Sequence, residues 1–79
     1  MDKEQDIRDL AAGAQEPIRS KLIEYVRLRG QFAVLTGLSD PNEAFLLDVL
    51  AIEDPLRRRE AAVVARRMRR LARETFPRL

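Results

Sequence analysis

Cysteine, histidine and tryptophan are missing from this 79-residue chain, and tyrosine occurs once. Without cysteine there is no disulfide framework and no thiolate metal site, and without histidine the commonest general base and zinc ligand is gone. Hydroxyl nucleophiles such as Ser20 and Ser39 have no imidazole to activate them. Glycine is scarce at three residues, and the chain holds no glycine-rich phosphate loop, metal-ligand spacing or calcium loop. The expectation is a binding protein with no catalytic residues, no cofactor, no metal and no small-molecule substrate. Long apolar runs are lacking as well. Stretches such as residues 32–35 fall far short of the ~20 residues of a membrane span, and the opening Met1-Asp2-Lys3-Glu4 has the wrong charge for a signal peptide. These features point to a cytoplasmic protein.

What the chain does have is 46% hydrophobic and 35% charged residues. Its length predicts one small domain over residues 1–79. A domain of this size buries only about 60% of the surface its unfolded chain exposes, and its core supplies no more than about 3–5 kcal/mol. A protein partner or a second copy of the chain is the natural completion.

Charge is divided unevenly. Residues 1–54 carry six basic side chains against eleven acidic ones, a net −5, whereas residues 55–79 carry nine arginines against Glu60 and Glu74, a net +7. An acidic part thus precedes a basic C-terminal helix, a pattern that fits binding to nucleic acid or to an acidic protein, or neutralisation of one half by the other. Arginine outnumbers lysine 13 to 2. High-GC coding produces the same bias across a whole chain, so arginine placement carries more meaning than arginine identity.

No stretch sustains a period-2 alternation, and Ala, Leu, Arg and Glu dominate. The fold class is all-α: a three- or four-helix bundle or helical-hairpin assembly with a long amphipathic C-terminal helix. Ile7, Leu10, Ala11 and Ala14 share one side of a helix over residues 3–12, which Gly13 weakens and Pro17 interrupts. Pro17 then opens a second helix with Ile18, Leu22, Tyr25 and Val26 on one face. The apolar pattern resumes beyond Gly30, so this helix is expected to run to Thr36, with Gly37 as its stop. Asp40-Pro41, with Glu43 as a capping-box partner, starts a helix over residues 41–52. Phe45, Leu46, Val49, Leu50 and Ile52 make it the most apolar segment, suggesting burial on more than one side at the centre of the bundle. Asp54-Pro55 repeats the start signal for a last helix over residues 55–75, stopped by Pro77.

The last helix holds the feature with functional content. At 100° per residue, Ala61, Val64, Ala65, Met68, Leu71, Ala72 and Thr75 fall on one face, while Arg59, Arg66, Arg69, Arg70 and Arg73 collect opposite them. The arginines form a stripe roughly 20 Å long. Docking in an acidic groove of a partner protein, with Val64, Met68 and Leu71 as apolar anchors, or self-association, is the leading reading. Behind it comes a solvated outer face tied by Glu60, Glu74 and the acidic first helix. Binding to nucleic-acid phosphates ranks third. A membrane surface ranks last, because the apolar face is rich in alanine and has no aromatic residue before Phe76. A helix-turn-helix around residues 33–39 fits poorly, since its recognition helix would carry Asp40, Glu43 and Asp48 and no basic residue toward the phosphates.

The small core leads to the first prediction: alone in solution, the chain self-associates or melts at a low midpoint. Sedimentation showing a strict monomer at tens of micromolar, with a high thermal midpoint, would contradict it.

Overall fold

The computed structural model describes residues 3–37 and 45–78. Among them are four α-helices and no strand: α1 (Lys3–Gly13), α2 (Ile18–Thr36), α3 (Phe45–Leu50) and α4 (Pro55–Thr75), followed by a 3-10 turn over Phe76–Arg78. The all-α expectation holds. The local signals also act where they were expected to. Asp54 caps α4 by accepting a hydrogen bond from the Leu56 backbone N–H at 3.1 Å, with Pro55 as the first helical residue. Gly37 ends α2 at φ 76°, in the left-handed region that glycine enters without a side-chain clash, and its N–H donates to the Ala33 carbonyl at 2.8 Å. Helix α2 passes through Gly30 without a break and begins one residue after Pro17. The start signal at Asp40-Pro41-Asn42-Glu43 lies outside the described residues.

Helices α2 and α4 pack as an antiparallel pair. Lys21 near the start of α2 meets Glu74 near the end of α4, while Gly30 and Val34 face Arg59 and Val63. The interface is built from large side chains of α2 set against small ones of α4. Phe32 is fully buried and Tyr25 and Leu28 nearly so, set against Ala61 and Ala65, which supply a low surface one to two turns before the larger Met68 and Leu71. Leu22 and Val26 are buried on α2 outside this cluster. Positions 61, 65, 68, 72 and 75 follow the alternating spacing of four and three that keeps one helix face on a partner. Thr75 is buried at the end of this row and satisfies its hydroxyl by donating to the Leu71 carbonyl at 2.8 Å. Tyr25 closes that end of the interface edge-on to Phe76, with ring centroids 5.3 Å apart. Helix α1 packs on α2, where it buries Ala11 and half-buries Ile7.

The third helix departs from expectation. Its described residues, Phe45–Leu50, lie against α4, and the main packing among the described residues is the α2–α4 interface. Val49 is buried, together with Ile52 just beyond the helix end, but Leu50 is 61% exposed and Leu47 is 70% exposed. Leu50, expected in an apolar interface or core, is therefore no core residue. The side chains of Phe45 and Leu46 lie outside the described residues. Arg58 ties α3's exit to the first turn of α4 by donating to the carbonyls of Ile52 at 2.8 Å and Glu53 at 3.2 Å.

This burial pattern leads to the second prediction. Leu22→Ala or Leu71→Ala should cost about 2–5 kcal/mol, because each removes methyl groups from a fully packed site. Leu50→Ala should cost less than about 1 kcal/mol. Urea unfolding of the three variants tests the order, and a larger loss for Leu50 would place the core around α3.

Candidate protein-docking surface

Helix α4 is capped and anchored along one face, so its opposite face is a fixed platform. Arg59, Arg66, Arg69, Arg70 and Arg73 are all exposed on it. Among the described residues Arg59, Arg66, Arg69 and Arg73 form no ion pair, and Arg70 has only a long contact of 3.9 Å with Glu74. Among the described residues, then, the acidic side chains leave Arg59, Arg66, Arg69 and Arg73 unneutralised, while Glu74 lies beside Arg70.

The tertiary packing divides the five arginines. Arg66, Arg70 and Arg73 surround a shallow hollow of about 420 Å³ together with Arg67 and Val63. Arg69 stands roughly 100° around α4 from Arg70 and lines no part of that hollow. Arg59 belongs to a neighbouring, larger hollow of about 810 Å³ between the C-terminal half of α2 and the N-terminal half of α4. Its floor and walls are apolar, made by Gly30, Val34, Leu35, Val63 and Val64, with Gln31, Arg59 and Glu60 at the rim. Val63 lines both hollows, so an apolar slot runs directly into a basic one. Of the three apolar anchors expected on α4, only Val64 faces this surface; Met68 and Leu71 are core residues, buried in the α2–α4 interface where nothing outside can touch them.

Arg67 escaped the sequence reading because its partner lies 43 residues away. Its guanidinium donates to both carboxylate oxygens of Glu24 at 3.1 Å, a bidentate bridge across the helix pair. This bonding and the carboxylate charge raise the Arg67 pKa further above its already high value. Lys21 lies 3.0 Å from Glu74, and the hydrogen bond it donates holds that carboxyl below the ordinary carboxylate range, with a smaller contribution from the Arg70 and Arg67 charges. Val34 and Val63 were also missed as surface features, although they are 80% and 60% exposed. The spacing 59, 63, 66, 70, 73 would have put Val63 in line with the arginines.

Among the described residues no group of His, Cys, Asp and Glu side chains could hold a metal ion, and no helix is long and apolar enough to cross a membrane. No family model, no curated protein and no solved structure matches the chain.

The Lys21–Glu74 pair leads to a prediction on pH. A carboxyl whose folded-state pKa is lowered contributes stability above its unfolded pKa and loses it as pH falls through the folded value. The thermal midpoint should therefore drop on acidification below the ordinary carboxylate range, and Lys21→Met should flatten that dependence. An unchanged slope in the variant would show that the pair carries no pH-linked stability.

Proposed function

We propose that this chain acts by binding, as a small non-enzymatic interaction module of the adaptor, assembly-factor or regulator kind, docking a protein partner through α4 and the adjoining edge of α2. The observation that supports this most directly is the continuity of an exposed, largely unpaired arginine row with an exposed apolar slot on one helix pair. Carboxylates suit the arginines, because the guanidinium fork takes them bidentately, and the Arg67–Glu24 bridge is a working example within the chain. An apolar slot beside the row adds burial of side chains, the usual source of affinity between proteins.

A second reading, an accessory nucleic-acid-binding protein, draws support from the four arginines about one hollow. Phosphates would be bound there by counterion release and without sequence preference. Valines lining the same surface serve no purpose in that mode, which ranks it second.

The triple change Arg66→Gln, Arg70→Gln, Arg73→Gln separates the two, since it removes three charges at nearly constant helix propensity. Pull-downs from the chain's own cell lysate, at low and high salt and with and without nuclease, should recover a protein partner that nuclease does not release and the triple variant does not hold. Binding of both proteins to duplex should stay weak at physiological salt. Tight duplex binding by the parent would replace this reading with the second, provided the variant loses it and the slope of log affinity against log salt shrinks by up to about three.

A further inference from the structure

We infer that the slot between α2 and α4 seats the apolar edge of an acidic amphipathic helix from another protein, with that helix's carboxylates over Arg66, Arg70 and Arg73. The inference rests on the docking function proposed above and specifies the chemistry of the partner.

The slot is lined by Gly30 and Val34 on α2 and by Arg59 and Val63 on α4, and the outward rows that continue from these residues have the spacing of helices that take a third. On α2, the outward positions Ile23, Arg27, Gly30 and Val34 stand at intervals of four, three and four, and Ile23, Arg27 and Val34 are exposed. On α4 the row Arg59, Val63, Arg66, Arg70, Arg73 repeats the same intervals. Two such stripes on an antiparallel pair leave a groove into which another helix packs ridge to groove. Its width and chemistry suit side chains: the slot has a volume of about 810 Å³, walled by valines and a leucine.

Gly30 is a second observation. It lies inside a 19-residue helix, and a Cβ added there would meet nothing within 4 Å. Glycine weakens a helix interior relative to alanine, and among the described residues no neighbour requires its lack of a side chain. It lines the slot, where a small residue lets an incoming helix approach closely.

Charge selects the occupant. Arg59 stands at one end of the surface and Arg66, Arg70 and Arg73 at the other, against Glu60 at the rim and Glu24 already engaged by Arg67. A second copy docking through the same face would set one arginine row against the other, and like charges in an interface oppose association. Nucleic acid would engage the arginines and leave Val34, Val63 and Gly30 without a role. An acidic amphipathic helix uses all of them: apolar side chains one or two turns apart enter the slot, and carboxylates in the following turns reach the arginine forks.

The test uses the full chain, isotope-labelled, and a synthetic helical peptide of about five turns with leucines along one edge and glutamates in the adjoining turns. A peptide of the same composition with its leucines scattered around the helix, a duplex DNA and vesicles containing phosphatidylglycerol are titrated in parallel. The expected result is binding of the amphipathic peptide about tenfold tighter than its scrambled form, with amide shifts centred on Gly30, Val34 and Val63. Gly30→Leu fills the slot while favouring the helix, so it should raise the thermal midpoint and abolish the difference between the peptides. Val63→Gln, at an exposed position, should weaken binding with the fold intact. Equal binding of the two peptides, lost in the triple arginine variant, would overturn the slot and leave docking by the arginines standing. No peptide binding, or tighter binding to duplex or vesicles, would overturn both.

Discussion

Close approach of α2 and α4 is the constraint on which everything else in this chain depends. Ala61 and Ala65 make it feasible, because a face without bulk beyond Cβ lets Phe32, Leu28 and Tyr25 of α2 reach into one core with Met68 and Leu71. Interiors packed at this density lose contacts sharply when volume is removed or added. The remaining elements attach mainly to one member of this pair each, α1 to α2 and α3 to α4, and Ile7 and Val49 reach its core. A chain of 79 residues has no second core to fall back on, so the interface that holds the fold is the same one that aligns the outer edges of the two helices.

That alignment turns scattered charges into a surface. Arg67 and Glu24 are bonded across the pair, as are Lys21 and Glu74. Exposed pairs of this kind add little stability, but they tie the two helices together and engage Glu24 and Glu74. The other arginines of the row are left facing outward, next to valines that no part of the described chain covers. A basic row alone attracts any polyanion; a basic row continuous with an apolar slot discriminates, because a partner lacking one component leaves the other unmatched.

The helices themselves were legible in the sequence. The 100° periodicity of α4, the Asp54-Pro55 start and the Gly37 stop are local signals that act within about one helical turn, and each appears in the structure as expected. Over residues 47–52 the hydrophobicity of the segment misled in part, because it measures how apolar a segment is and not how many of its faces have neighbours. Leu47 and Leu50 are apolar and exposed, and the centre of the fold is elsewhere.

Only packing in three dimensions decided which helices meet, and with it the docking surface. The Arg67–Glu24 bridge joins residues 43 apart, and the slot is walled by residues of both α2 and α4, so neither follows from spacing along one helix. Gly30 reads as a mere weakness in α2 until the open space beside it and the valines across from it are seen together. Periodicity and capping are set by near neighbours in the chain and are written in one dimension, whereas a groove exists only once two distant segments lie side by side.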